Sequence, residues 1–316
     1  EVKTKPTQQS VAKLREIGIM PDILICRTEV DLDEEHLDKL SLFCNVSRSA
    51  VIVEKDVEIS IYEIPLILSQ AGLDEIILKQ FCIDQPAKPL EQWSDLISSI
   101  RALEGEVAVG MVGKYAELQD AYKSVDEALI HAGYAVGKKI RVQKLVAEEI
   151  EASPELLDAV DGILIPGGFG SRGMEGKIRA VQYARENKIP FLGICLGLQC
   201  AVIEFARNVC ALQGAHSTEF DNEREESTDH PVVCLMEEQA DVVEMGGTMR
   251  LGAYDCALKE GSKAHQAYGA LMVSERHRHR YEVNNSYRSI LEEHGMKLSG
   301  TNPELDVVEM IELEDH

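Results

Sequence analysis

The stretch FLGICLGLQC, residues 191–200, places a cysteine between two glycines at the end of an apolar run. The residues before the cysteine (IPFLGI, 189–194) predict a buried strand, and those after it (LGLQCAVIEFARNV, 196–209) predict a helix. A cysteine at such a turn is typical of a nucleophile on strained backbone, for which Gly193 and Gly197 leave room. The amino end of the helix should favour the Cys195 thiolate and hold an oxyanion with its amides. A buried structural cysteine is the alternative.

The pattern around this turn alternates between strands and helices. Strands are predicted at 106–113, 138–146 and 161–168, with helices at 121–133 and 176–188. Single helices between strands imply parallel pairing, so the fold class is α/β with a doubly wound, mostly parallel sheet. A second glycine loop, IPGGFG (165–170), ends the preceding strand. Because parallel strands end at one edge of their sheet, the two loops should form one site.

The rest of the chain divides by composition. Residues 1–82 predict a partial α/β domain, with helices near 11–18, 34–45 and 61–71 and strands near 23–26 and 50–53. The proline-containing stretch 83–105 predicts a linker with an attached helix. Residues 106–316 form the predicted main domain, in which 246–260 and 270–283 are more β-rich.

Composition excludes several classes of function. A net charge of −23 argues against nucleic acid and against anionic membranes as partners. No apolar run approaches the length of a membrane span, and no signal peptide is visible. The eight cysteines contain no C-x-x-C pair, which fits a cytoplasmic protein better than a disulfide framework or a zinc site. No metal-ligand set is therefore expected in this chain.

Several motifs together carry a resemblance to a known family. PGGFGSRG (166–173), GICLGLQ (193–199), STEF (217–220), GGTMRLG (246–252) and ERHRHRYEVN (275–284) resemble the glutaminase domain of class I (triad) glutamine amidotransferases. More narrowly, these blocks are similar to the CTP synthase family, as is KTKPTQ (3–8) in the N-terminal part. The five cationic or titratable residues of RHRHR also suggest an anion site in so acidic a chain.

The resemblance implies roles for individual residues of the glutaminase domain. Cys195 resembles the nucleophile that forms a thioester with glutamine, and the amides of Gly168 and Leu196 resemble its oxyanion hole. The residues implied to bind glutamine are Gly168, Leu196, Gln199, Glu219 and Arg280. Glu219 suits an α-ammonium group and Arg280 an α-carboxylate. Arg172 and Glu175 resemble the lid that responds to GTP.

The resemblance also implies nucleotide partners. The residues similar to the UTP/CTP site are Lys3, Thr4, Lys5, Pro6, Thr7, Gln8 and Lys39, and those similar to the ATP adenine wall are Lys55, Asp56 and Val57. The implied reaction is the ATP-dependent amination of UTP to CTP, with ammonia from glutamine. ATP and Mg²⁺ are the implied cofactors, with GTP as an allosteric activator and no prosthetic group. Residues 1–82 resemble the C-terminal part of the synthetase domain, the domain of this family that makes CTP. The resemblance implies that the whole enzyme is a homotetramer assembled through that domain.

The sequence departs from the family pattern at two places. It contains no His-Pro-Glu segment, so none of its nine histidines is expected to serve as the base for Cys195. It contains no G-x-x-x-x-G-K-[ST] phosphate loop either. We expect this chain by itself to lack both complete active sites and to be inactive. Two alternatives stay open: another triad amidotransferase, and a non-catalytic regulatory protein with a degenerate glutaminase domain.

Overall fold

The structure is a computed structural model that describes residues 2–114, 120–223, 227–235 and 250–316. The chain divides into two compact units, Glu1–Glu104 and Gly105–His316, called here the N-terminal unit and the C-terminal unit. No helix within these described ranges is both long enough and apolar enough to cross a membrane.

The N-terminal unit is a small α/β arrangement. Its elements are α1 (Lys5–Glu16), β1 (Leu24–Thr28), α2 (Glu34–Cys44), β2 (Val51–Lys55), α3 (Ile64–Gln70), α4 (Leu73–Gln80) and α5 (Glu91–Arg101). Strands β1 and β2 pair in parallel. Helices α1 and α2 bury Val11, Leu37 and Leu40 in a core shared with Val51. The predicted helices and strands of this unit are confirmed, whereas α4 was not predicted.

The centre of the C-terminal unit is a four-stranded parallel sheet. Its strands are β3 (Glu106–Gly113), β4 (Lys139–Val146), β5 (Gly162–Ile165) and β6 (Phe191–Gly193), in the order β4-β3-β5-β6. The helices between and after these strands are α6 (Lys123–Val136), α7 (Ala147–Ala152), α8 (Met174–Asn187) and α9 (Leu196–Asn208). The predicted alternation and the parallel pairing are both confirmed.

Helices α8 and α9 cover the sheet closely. Both helices contribute fully buried residues, among them Ala180, Ala184 and Val202. Between them the carboxylate of Glu204, whose side chain is only 1% exposed, receives two nitrogens of Arg185 at 2.7 and 3.0 Å. This ion pair satisfies a charge that would otherwise be costly to bury.

The remaining strands of the C-terminal unit form two further sheets. One contains β7 (His216–Ser217), β8 (Pro231–Leu235) and β11 (Tyr281–Val283), in the order β11-β8-β7. The other is antiparallel, in the order β10-β9-β12-β13, with β9 (Arg250–Leu258), β10 (Met272–His279), β12 (Met296–Asn302) and β13 (Val307–Leu313). Helix α10 (Lys263–Tyr268) follows β9, and α11 (Arg288–Glu293) precedes β12. The β-rich prediction is confirmed for residues 250–258 and 272–283, whereas 246–249 lie outside the described residues.

Candidate active site

The turn at Cys195 has the strained backbone that the sequence predicted. Cys195 precedes α9 with φ 53° and ψ −103°, a combination outside the regions that L-residues ordinarily occupy. A Cβ on Gly193 would lie 2.5 Å from the Gly197 carbonyl carbon, and one on Gly197 would lie 2.3 Å from the Ile165 oxygen. Both flanking positions therefore require glycine, because β6, β5 and the start of α9 approach each other too closely for a side chain.

The Cys195 thiol lies against backbone groups from three segments. The amides of Gly168 and Leu196 hydrogen-bond its sulfur, and the Arg278 carbonyl lies 4.0 Å from Sγ. Burial raises the pKa of the Cys195 thiol, with smaller contributions from the charges of Glu219 and Glu282. The Leu196 amide at the amino end of α9 acts in the direction that the sequence predicted. The two amides do lower this pKa, but burial outweighs them.

The glycine loop after β5 packs directly against the nucleophile turn, as the two-loop prediction required. A Cβ on Gly167 would lie 3.5 Å from the Cβ of Cys195. Further along the loop, the Gly170 amide donates to Glu219 Oε1 at 3.3 Å. Glu219 comes from the STEF segment after β7, so this contact joins that segment to the loop. The Glu219 carboxylate thus lies at the edge of the thiol site, close enough to influence the Cys195 pKa.

Gln199 ties the nucleophile helix to the RHRHRYEVN segment. Its side chain is buried, and its Nε2 donates to the Tyr281 carbonyl at 3.0 Å. Arg280, which precedes Tyr281, is half-buried between β10 and β11. The structure therefore brings Gly168, Leu196 and Glu219 to the thiol, and connects Gln199 with the chain segment that carries Arg280.

The RHRHR run does not form a single basic patch. Residues alternate in exposure along β10, so that Arg276 and Arg278 are exposed while His277 and His279 are half-buried. The Arg278 guanidinium lies 5.7 Å from the ring centroid of Phe169 in the glycine loop. An anion site in this run stays a prediction, and strand geometry limits it, because Arg276 and Arg278 lie on the opposite face of β10 from His277 and His279.

Comparison with known proteins decides the family. Residues 117–316 match the model of class-I glutamine amidotransferases. The chain belongs to this family.

Other matches extend beyond the amidotransferase domain. Residues 1–83 match the model described as the CTP synthase N-terminus. The chain is 53% identical to the CTP synthase of Fibrobacter succinogenes, over 100% of this chain and 56% of that protein. It is 52% identical to the CTP synthase of Methanocaldococcus jannaschii, over 99% of this chain and 58% of that protein. The chain thus spans little more than half the length of these relatives.

A solved structure of the same type is also similar. It is described as the glutaminase domain of Trypanosoma brucei CTPS with bound acivicin. The match has a TM-score of 0.57 and 38% sequence identity, and covers 66% of this chain and 79% of that chain. The nucleophile turn and the glycine loop thus belong to a class I amidotransferase domain with the expected mixed α/β fold.

The two residues predicted to form a lid are both engaged in ion pairs. Arg172 places Nε 3.0 Å from Glu148 Oε1 and also donates to the Lys114 carbonyl. Glu175, at the start of α8, accepts from Arg207 Nη1 at 2.8 and 3.1 Å. A cavity of about 300 Å³ lies beside Glu175 and is lined by Glu151, Ser171, Gly173, Met174, His216 and Phe220.

No histidine in the described ranges hydrogen-bonds the Cys195 thiol. His316 directs Nε2 to the Ile189 carbonyl at 2.6 Å. His277 and His279 point into a buried group of charged side chains that includes Glu309. The sequence reasoning missed this group, because Glu309 belongs to β13 and no local spacing connects it with β10.

The residues predicted to contact UTP or CTP lie on the first two helices of the N-terminal unit. The KTKPTQ segment (Lys3, Thr4, Lys5, Pro6, Thr7 and Gln8) leads into α1, with proline in the first turn. Gln8 Nε2 donates to Thr4 Oγ1 at 3.1 Å. Lys39 on α2 donates to Glu35 Oε1 at 2.5 Å.

The residues predicted to line an adenine site lie at the end of β2 and directly after it. Lys55 Nζ lies 2.9 Å from Asp31 Oδ2, and the Asp56 carboxylate accepts from Arg27 Nε at 2.7 Å. The side-chain hydrogen bond from Arg27 lowers the pKa of Asp56. Val57 is half-buried next to this pair. These contacts connect β1 and β2 at their carboxyl ends, where ligands of parallel sheets bind.

Proposed function

We propose that this chain provides the glutamine-hydrolysing domain and part of the nucleotide-binding domain of a CTP synthase. In this reaction ATP activates the uracil 4-oxygen of UTP, and ammonia released from glutamine displaces the phosphate to give CTP, ADP and phosphate. The observation that carries the proposal is the strained Cys195 turn with two converging amides, in a chain similar throughout to proteins named CTP synthase.

The glutaminase step follows from the groups around Cys195. Sγ attacks the glutamine side-chain amide carbon, and the developing oxyanion accepts hydrogen bonds from the Gly168 and Leu196 amides. Loss of ammonia leaves a thioester, which water hydrolyses to glutamate and the free thiol. A proton must leave the thiol and another must reach the departing nitrogen. Burial raises the pKa of the Cys195 thiol, so this thiol holds its proton more tightly than a free cysteine does.

Recognition of glutamine is assigned to the polar groups at the rim of this turn. The Glu219 carboxylate suits the α-ammonium, and the Arg280 guanidinium suits the α-carboxylate. The buried hydrogen bond of Gln199 to Tyr281 fixes α9 against the segment that carries Arg280. Supporting contacts of this kind hold binding groups at the precision that catalysis needs.

The nucleotide sites are assigned in the same way. UTP and CTP are assigned to the KTKPTQ segment with Lys39, the ATP adenine to Lys55, Asp56 and Val57, and GTP to the region of Arg172 and Glu175. The side chains of Lys55 and Asp56 pair with Asp31 and Arg27, respectively. Val57 is the apolar residue of the three and would pack against the adenine ring. ATP bound with Mg²⁺ supplies the phosphoryl group. A cytoplasmic homotetramer is the proposed context of the whole enzyme.

Labelling of Cys195 tests the glutamine site directly. The chain is incubated with acivicin, and adducts are located by peptide mass analysis with and without glutamine. We expect one adduct at Cys195 that glutamine suppresses and Cys195→Ser abolishes. Cys200→Ser is the matched control, because Cys200 is buried and its pKa is raised to about 12, so its loss should leave labelling unchanged. Labelling of Cys195 that glutamine does not slow would favour a degenerate, non-catalytic domain instead.

A further inference from the structure

Five charged or titratable side chains meet in the β-rich part of the C-terminal unit. Three of them are almost completely buried: Arg250 on β9, Glu282 on β11 and Glu309 on β13 have side chains 3–5% exposed. His277 and His279 on β10 are 11% and 16% exposed. We call these residues the His-Glu cluster. None of its side chains is assigned a part in the proposed glutaminase step, although the charge of Glu282 contributes to the raised pKa of Cys195.

Three donor atoms of the His-Glu cluster already stand at the corners of a small triangle. His277 Nδ1 lies 3.0 Å from His279 Nε2 and 3.2 Å from Glu309 Oε2. One ligand atom from each of the three residues lies within 4.8 Å of the others. Zinc bonds of about 2.0–2.2 Å to nitrogen and oxygen imply tetrahedral ligand separations of roughly 3.3–3.5 Å. Two edges of the triangle are therefore close to those of a zinc site.

We propose that His277 Nδ1, His279 Nε2 and Glu309 Oε2 bind a divalent cation of the zinc type, with water as the fourth ligand. Two imidazoles and one carboxylate are a donor set that zinc favours, with an open fourth position. The inference does not depend on the glutaminase activity proposed above.

The charges of the cluster favour a cation. With neutral histidines, Glu282 and Glu309 contribute two negative charges and Arg250 one positive charge. Arg250 contacts Oε1 of Glu309 at 2.5 Å and Oε1 of Glu282 at 3.0 Å, so Oε2 of Glu309 faces the histidines.

Burial favours the neutral form of His277, which is the form that can bind a cation. Burial, followed by the charges of Arg250 and His279, lowers the pKa of His277 to about 4, so this ring is neutral at neutral pH. His277 and His279 approach each other through ring nitrogens, and a proton between those nitrogens would leave when a cation binds.

A carboxylate also lies next to the second ring nitrogen of one proposed ligand, His279. Glu282 Oε1 lies 3.0 Å from His279 Nδ1, the ring nitrogen that does not face the triangle. Metal-bound histidines typically place a carboxylate at this position. Within the described part of the chain, His279 Nδ1 and Arg250 Nε are buried without an aligned hydrogen bond. A small rotation of the His279 ring on cation binding would align Nδ1–H with Glu282.

Such a cation would connect strands that do not pair with each other. His277 and His279 lie on β10 and Glu309 on β13, the two ends of the strand order β10-β9-β12-β13. Between the two histidines lies Arg278, whose carbonyl is 4.0 Å from Cys195 Sγ. The cation would therefore fix the strand whose Arg278 carbonyl faces the thiol.

The visible absorption of bound Co²⁺ tests the proposal, because it distinguishes nitrogen and oxygen ligands from cysteine thiolates. The chain is titrated with Co²⁺ at neutral pH, and its visible absorption is recorded with the bound stoichiometry from equilibrium dialysis. We expect one equivalent bound with tetrahedral d–d bands and no thiolate-to-cobalt charge-transfer band, and displacement of Co²⁺ by one equivalent of Zn²⁺. No such spectrum, or one dominated by the charge-transfer band, would overturn the proposal.

Variants locate the bound ion. His279→Gln should abolish the spectrum, and Glu282→Gln should weaken binding about 10- to 100-fold, as for an outer-shell partner. His294→Gln is the matched control, because His294 is exposed and outside the His-Glu cluster. Equal binding by His279→Gln, or loss in His294→Gln, contradicts the assignment. Circular dichroism checks that each variant is folded, and if His279→Gln is not, the unaltered chain and Glu282→Gln decide the question.

Discussion

Replacing Cys195 by glycine should leave the C-terminal unit more stable than replacing it by alanine. Both changes remove the thiol and its hydrogen bonds, so they differ only in the Cβ atom. At φ 53° and ψ −103° that atom is strained, and backbone of this kind costs on the order of 1–3 kcal/mol. Glycine relieves the strain but costs roughly 0.5–1 kcal/mol of additional chain entropy. The net gain expected for glycine over alanine is therefore about 1 kcal/mol.

The comparison is made by thermal unfolding of the two variants, followed by far-ultraviolet circular dichroism. A difference of about 1 kcal/mol corresponds to about 2–4 °C in Tm for a domain of roughly 150–250 residues. The chain has one tryptophan, Trp93 on α5 of the N-terminal unit, so its fluorescence reports that unit separately. The fluorescence transition should be the same in both variants.

At a site without backbone strain the alanine variant is more stable than the glycine variant. The sign of the stability difference therefore tests whether Cys195 is strained. In an unstrained helix or strand, glycine is less stable than alanine by about 0.5–1 kcal/mol. If Cys195→Gly unfolds at a lower temperature than Cys195→Ala, the backbone at this turn is not strained and the nucleophile-turn argument fails. A shift confined to the tryptophan transition would equally contradict it.

Three further predictions concern charges in the C-terminal unit. Glu219→Gln removes a negative charge that raises the Cys195 pKa, so iodoacetamide should alkylate Cys195 faster at pH values below that pKa. The alkylation rate should rise about threefold if the pKa falls by one unit, and glutamine should no longer protect the thiol. An unchanged rate would contradict this prediction. Arg185→Ala leaves the Glu204 carboxylate buried without its cation, with the Asn208 amide still donating to it, and should cost about 3–5 kcal/mol in urea unfolding; a loss below 1 kcal/mol would refute the buried ion pair. Burial lowers the pKa of Lys177 below its unfolded value, so the native unit should gain stability as pH rises between the two values. Lys177→Met should therefore be stabilising at neutral pH and less so in alkali, and a pH-independent effect would exclude the charge as its cause.

The nucleophile turn and the parallel sheet could be predicted from the sequence because their signals are local. Apolar runs of strand length, helical periodicity and flanking glycines are all short-range patterns, and they located the elements from β3 to α9 within a few residues, except for α7, which was not predicted. The same patterns predicted that the glycine loop and Cys195 meet, since both follow neighbouring parallel strands.

The electrostatics of the site depended on the tertiary structure. The helix after Cys195 was predicted to favour the thiolate, and the Leu196 amide does lower the pKa of this thiol, but burial by distant segments raises that pKa more. The hydrogen bond of Gly170 to Glu219, and that of Gln199 to Tyr281, join residues 49 and 82 positions apart. No sequence pattern specifies such pairs.

The RHRHR run shows most clearly which features follow from the local sequence and which depend on the tertiary structure. The sequence by itself determined that arginine and histidine alternate, and strand geometry then places them on opposite faces of β10. Only the folding of β9, β11 and β13 around this strand decided that the histidines meet Arg250, Glu282 and Glu309. Side-chain periodicity is a local property of the backbone, whereas burial and charge depend on which distant strands pack together.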